Sequence, residues 1–141
     1  MINIDKKTLD SIIDMAISAR EKSYCPYSAF AVGAALLCDD GDIFTGANIE
    51  SSSYTPTICA ERVAFSSAVH AGKKAFKAIA VVGGKADEGV SAYTPPCGVC
   101  RQFITEFCSA DFPVILFDGK EPKVLTLGEL LPESFTKTNL F

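Results

Sequence analysis

A chain of 141 residues with net charge −4, 48% hydrophobic and 21% charged residues has the make-up of one globular domain, spanning 1–141, with a sizeable core. Its 13 Lys and Arg are scattered, with no run longer than two, which argues against nucleic acid as a partner, because phosphate binders cluster their basic side chains. No segment approaches the roughly 18 consecutive apolar residues of a membrane span, and Met1 to Lys7 carries no apolar stretch followed by a cleavage site, so the expected location is the cytoplasm and no membrane partner is expected.

Leu9, Ile12, Ile13, Ala16 and Ile17 recur at helical spacing and predict a helix over 6–21, with Asp5 as its cap. Pro26 breaks the pattern within Ser23 to Ser28. Phe30 to Leu37 is an apolar run without polar alternation, as in a central strand covered on both faces. Asp39-Asp40-Gly41-Asp42 is turn chemistry, and Ile43 to Ala47 returns as the second strand of an antiparallel hairpin. After the polar Ser51-Ser52-Ser53, a helix is expected from about Cys59 to Ala71, stopped by Gly72. A third strand is expected from Phe76 to Val82, ended by Gly83-Gly84, then a loop over 85–96 and a helix from Cys97 or Gly98 to Cys108. Val114 to Phe117 and Val124 to Leu127 read as two short strands, and Gly128 to Leu131 as a helical turn. This order predicts an α/β sheet with helices on both faces.

The six cysteines are Cys25, Cys38, Cys59, Cys97, Cys100 and Cys108. In a reduced compartment a Cys-x-x-Cys pair points to metal binding or redox work rather than to a disulfide framework. Cys59-Ala60-Glu61 and Pro96-Cys97-Gly98-Val99-Cys100 carry the chemistry. Three thiolates would hold zinc and leave a fourth position open for water, as a catalytic zinc site requires. Cys97 and Cys100, three apart in a first helical turn, share a face. If both clusters open helices, two positive helix ends point at the metal and favour thiolates. A ligand two residues before Glu, followed by Pro-Cys-x-x-Cys, is the pattern of zinc nucleobase deaminases. The competing readings are a redox pair, or half of a structural zinc site that would need a fourth ligand. His70 lies late in the second helix and suits a C-terminal cap better. Cys25, Cys38 and Cys108 read as small buried apolar residues.

Across roughly residues 23–135 the chain resembles the short, homotetrameric type of cytidine deaminase. Tyr24-Cys25-Pro26-Tyr27-Ser28-Ala29-Phe30-Ala31-Val32-Gly33-Ala34-Ala35-Leu36 is similar to that family's first motif, and Gly46-Ala47-Asn48-Ile49-Glu50 to its ribose and base segment. Cys59-Ala60-Glu61-Arg62 and Pro96-Cys97-Gly98-Val99-Cys100-Arg101-Gln102 are similar to its zinc segments, and Leu130-Leu131-Pro132-Glu133-Ser134-Phe135 to its C-terminal motif. The resemblance implies a three-layer α/β/α domain on a mixed sheet of about five strands. It implies zinc on Cys59, Cys97 and Cys100, and Glu61 as the proton shuttle. Phe30 would pack on the pyrimidine, Asn48 and Glu50 would bind the ribose, and Ala60 would touch substrate. Tyr54 and Phe135 would reach a neighbouring subunit's site in a homotetramer. On residue chemistry alone, Phe30 and Phe135 read as core and Asn48 as a turn residue. Ser51-Ser52-Ser53, Pro56 and Thr136-Lys137-Thr138 depart from the usual pattern in the sugar loop and the tail.

The implied reaction is hydrolysis of cytidine, and of deoxycytidine, to uridine or deoxyuridine and ammonia, in pyrimidine salvage. Three thiolates around a zinc dication leave net negative charge, which weakens the metal as a Lewis acid. Arg62, permanently protonated and next to Glu61, would draw off charge by donating to the sulfurs of Cys59 or Cys97; the alternative is a surface salt bridge of little worth. Three other functions compete. A deaminase of an aminoacyl nucleoside antibiotic would share the zinc motifs. An editing deaminase would need a basic surface that this acidic chain lacks. A zinc-stabilised binding module would need neither Glu61 nor an open metal position.

Overall fold

The computed structural model describes residues 4–141. Helix α1 (Lys6–Ala19) starts where Asp5 accepts a hydrogen bond from the Thr8 amide at 3.0 Å, and it runs into a 3-10 turn at Arg20–Lys22. Strands β1 (Phe30–Cys38) and β2 (Ile43–Ala47) form the expected antiparallel hairpin. Helix α2 (Ala60–His70), strand β3 (Phe76–Lys85), helix α3 (Gly98–Ile104), strands β4 (Pro113–Phe117) and β5 (Pro122–Thr126) and the short helix α4 (Leu127–Leu130) follow. The sheet order is β2-β1-β3-β4-β5, with β3 and β4 parallel and the other neighbours antiparallel.

The strand period of two divides the core between two layers. Ala35, Leu37, Ala78, Ala80, Val82 and Ile115 face Ile12, Ile13 and Ala16 of α1. Their neighbours Ala34, Leu36, Ile79, Val81, Val114 and Leu116 face Ala60, Ala64, Phe65 and Ala68 of α2 and Ile104 of α3. The result is the three-layer α/β/α arrangement, with both helices bearing the candidate ligands on one side of the sheet.

Several boundaries differ from the sequence expectation. β3 does not stop at Val82: Gly83 and Gly84 stay in the ladder opposite Val32 and Ala31, and Lys85 opposite Phe30. The glycines serve close packing here, because a Cβ on Gly83 would lie 2.8 Å from Thr94 and one on Gly84 3.1 Å from the Arg20 guanidinium. α3 ends at Ile104 rather than Cys108, and Glu106 and Phe107 continue in tighter turns bonded to Phe103 and Ile104. β5 starts at Pro122, tolerated on an edge strand, and Leu127 leaves it to open α4. Cys38 is buried as expected, whereas Cys25 and Cys108 are half-buried, being on a loop and beyond the end of α3.

Gly46 sets the position of α2. A Cβ there would meet the Ala60 carbonyl oxygen at 2.4 Å and the Ala64 nitrogen at 2.6 Å, both backbone atoms that cannot rotate away. Gly46→Ala should push α2 off β2 and destabilise the protein by about 1–3 kcal/mol, the usual cost of overpacking. Urea denaturation measures this, and an unmoved midpoint would contradict the packing argument.

Candidate active site

After β2 the chain doubles back. Ile49 and Ile58 exchange both backbone hydrogen bonds at 2.9 Å, closing the 51–57 loop and setting Asn48 and Glu50 near the start of α2. Cys59 is the N-cap of α2 and spends no side-chain hydrogen bond on capping, so its sulfur is free to face the site. Cys97 is the N-cap of α3, and its sulfur accepts from the Cys100 amide at 3.5 Å. The three sulfurs of Cys59, Cys97 and Cys100 lie within 4.8 Å of one another. Cys59 and Cys97 are 3.6 Å apart, sulfur to sulfur. Zinc–sulfur bonds of about 2.3 Å in a tetrahedron place sulfurs about 3.8 Å apart, so the cluster already has the dimensions of a zinc site. His70, at the far end of α2, is exposed and takes no part in the cluster.

The electrostatics suit a cation. The Cys59 thiol is pulled down to about 5, first by the hydrogen bond from Cys100, then by Arg62 and Cys97, with burial opposing. Cys100 is pushed up by the same bond to Cys59, by burial and by the charges of Glu61 and the neighbouring thiols. A dication held here would favour the thiolate form of its ligands.

Glu61, in the first turn of α2, is only 3% exposed. Burial raises its carboxyl to about 7, the Cys59 charge adds to the rise, and its own amide, the Cys100 thiol and Arg62 oppose it. Arg62 donates from Nη2 to the Cys59 sulfur at 3.6 Å and to the Thr57 carbonyl at 3.2 Å, and its buried Nε has no hydrogen-bond partner among the described residues. The ion pairs among the described residues are Lys6–Asp10 and Lys73 with Asp40 and Asp42, so Arg62 has no carboxylate partner.

The residues expected to touch substrate differ in exposure and in hydrogen-bond partners. Ala60 is fully buried at the start of α2. Phe30 and Phe135 are not core residues, being 38% and 58% exposed; Phe30 is the first residue of β1, and Phe135 lies in the tail after α4. Asn48 is not a turn residue either. It is 8% exposed and ties its own segment to β1 and to the loop at Ser23: its Oδ1 accepts from the Val32 amide at 2.9 Å and the Ser23 hydroxyl at 2.5 Å, and its Nδ2 donates to the Phe30 carbonyl at 2.8 Å. Glu50 accepts from the Tyr27 and Ser28 amides at 3.0 and 3.1 Å and from the Ser28 hydroxyl, which hold its carboxyl below the usual range. Tyr54 is exposed, has φ of 59°, and sits 5.7 Å from the Tyr27 ring.

Ser28 was given no role by the sequence, yet its hydroxyl binds Glu50 and accepts from the Phe30 amide at 3.0 Å, linking two expected substrate contacts. Its place in a turn ahead of a strand was the available signal. Gln102, quoted only as the end of a zinc segment and given no role, donates to the Phe135 carbonyl at 2.8 Å.

Three clustered thiols and a buried carboxyl at the converging starts of two helices, on an α/β/α frame, define a zinc-dependent hydrolytic site. The chain belongs to the family described as the cytidine and deoxycytidylate deaminase zinc-binding region, which matches residues 6–116. It is 47% identical over 133 residues to a cytidine deaminase of Sporosarcina psychrophila, covering 94% of each chain. A crystal structure of cytidine deaminase from Burkholderia pseudomallei superposes with a TM-score of 0.81 at 43% identity, covering 89% of this chain and 98% of that one. A Blasticidin-S deaminase of Bacillus cereus is 34% identical over 110 residues, 75% of this chain and 77% of the relative.

Proposed function

We propose that the protein hydrolyses cytidine, and deoxycytidine, to the uracil nucleoside and ammonia, a step of pyrimidine salvage. The carrying observation is the Cys59, Cys97 and Cys100 cluster with Glu61 buried beside it, together with relatives named as cytidine deaminases over nearly the whole chain. Zinc on the three thiolates would supply a Lewis acid that makes a bound water acidic near neutral pH.

Glu61 carries the protons. It takes one from the attacking water and delivers it to ring N3. The second proton of the same water passes through Glu61 to the exocyclic amine. The oxygen–C4 bond forms, the C4–nitrogen bond breaks, and ammonia leaves, so the atoms of water and cytidine balance those of uridine and ammonia. A single carboxylate could serve each transfer if water, N3 and the amine all lie within hydrogen-bond reach of it, about 2.6–3.2 Å. Phe30 would lie on the pyrimidine, Ala60 would contact the base, and Asn48 and Glu50 would bind ribose hydroxyls from their braced positions.

The test is loss of cytidine absorbance with purified protein, with and without a chelator, beside blasticidin S as competitor substrate. Chelator-sensitive turnover of cytidine is expected; turnover of blasticidin S alone would move the assignment to the other substrate.

Arg62 would tune the metal by drawing charge from the Cys59 sulfur that it contacts. Arg62 forms none of the ion pairs among the described residues, so a salt bridge does not account for its position. Arg62→Ala should lower turnover and metal affinity by about 10–100-fold, as loss of a group supporting a ligand does. Unchanged turnover and zinc content would contradict that role.

The assembly would be a homotetramer, acting in the cytoplasm on a free nucleoside. Tyr24, Tyr27, Phe30, Tyr54, Ile58 and Phe135 all lie exposed, and aromatic surface of this kind favours burial between copies. Tyr54 and Phe135 would reach neighbouring sites. Sedimentation should give a tetramer at working concentration, and a fully active monomer would refute shared sites.

A further inference from the structure

Cys97 ends a segment, 86–97, that belongs to no helix or strand, and α3 behind it is seven residues long. Such a segment does not hold a thiolate in place by secondary structure alone. Arg101 reaches its end from α3. Its Nε donates to the Pro96 carbonyl at 2.7 Å, the peptide oxygen just before Cys97, and its Nη1 donates to the Leu130 carbonyl at 2.6 Å. The Pro96 ring is fully buried. Leu130 is the last residue of α4, whose terminal carbonyls lack partners within the helix and suit a cation. α4 is itself anchored, by buried Leu127 and by a capping box between Thr126 and Glu129. Arg101 also enters none of the ion pairs among the described residues. Its guanidinium therefore spans two backbone oxygens that belong to segments 34 residues apart, Pro96 and Leu130.

From this geometry we infer that Arg101 is a positioning residue of the zinc site, fixing the Cys97 peptide by clamping it to the end of α4. The inference rests on the zinc assignment above. A planar fork can serve both carbonyls through separate nitrogens, whereas a lysine ammonium is a single point on a flexible stem. The clamp thus depends on the shape of the side chain as well as on its charge.

Zinc transfer from the loaded, full-length protein to a chromogenic chelator, 4-(2-pyridylazo)resorcinol, reads the clamp directly. Arg101→Ala should lose metal affinity by about 10–100-fold, in line with other groups that orient ligands, and release zinc correspondingly faster. Arg101→Lys should also release it faster than wild type, by a smaller factor. The thiolate-to-metal bands of the cobalt-substituted protein should shift in both variants. Ile12→Ala, on α1 in the opposite core layer, provides a destabilised control and should keep the wild-type release rate and cobalt spectrum. Wild-type release and spectrum in the Arg101 variants overturn the inference, as does release no faster than that of Ile12→Ala. Should Arg101→Ala fail to fold, Arg101→Lys is judged by the same criteria. Wild-type protein purified without zinc would instead overturn the metal assignment, and this inference with it.

Discussion

Glu61→Gln is expected to keep one zinc per chain and to lose nearly all turnover. Glutamine matches the shape of glutamate and leaves the three thiols untouched, so the metal should remain. It cannot accept a proton, and every proton transfer assigned to Glu61 fails together. A single general acid–base group contributes about 10²–10⁴-fold; a residue serving several transfers in sequence belongs at the upper end of that range or beyond. Folding should not suffer. Glu61 is buried, and burial disfavours its charged form, so a neutral amide removes a desolvation cost at neutral pH. Metal analysis, absorbance kinetics and urea denaturation on one preparation check all three expectations. Near-normal turnover would place the proton shuttle on another residue.

Removal of a ligand should do more. Cys97→Ala is expected to lose both zinc and activity, because two thiolates remain where a catalytic site uses three protein ligands. Changes to groups that only support ligands cost about 10–100-fold in affinity, so losing the ligand itself should exceed that. The effect should be largely confined to the metal. Cys97 is exposed and outside the apolar core, whereas Cys100 is fully buried and its replacement would mix metal loss with a cavity. Zinc per chain and turnover are the readouts, with dialysis against free zinc to test for rescue. Full zinc occupancy in a protein with Cys59, Cys97 and Cys100 all replaced by alanine would sink the metal assignment.

Much of this molecule was legible along the chain. The first helix, the β1–β2 hairpin and α2 follow from apolar spacing and turn residues that act over a few positions, and the structure places them within a residue or two of expectation. The Cys59–Glu61 and Cys97–Cys100 spacing likewise named a zinc site, because ligand chemistry constrains residue type at short separation. Three things depended on long-range packing. Gly83 and Gly84 looked like a strand end, and only the approach of Thr94 and Arg20 explains why they lie inside β3. Phe30 and Phe135 looked like core by hydrophobicity, yet they stand at the first residue of β1 and in the tail after α4, where both remain exposed. Asn48 looked like a turn residue, and it became a buried brace because Ser23, Phe30 and Val32 arrive around it from other segments. The sequence by itself determined which atoms can bind zinc and move protons. The tertiary structure decided what holds those atoms in place, because Arg62 on the Cys59 sulfur, Ser28 on Glu50 and Arg101 between Pro96 and Leu130 act through contacts that local spacing does not encode.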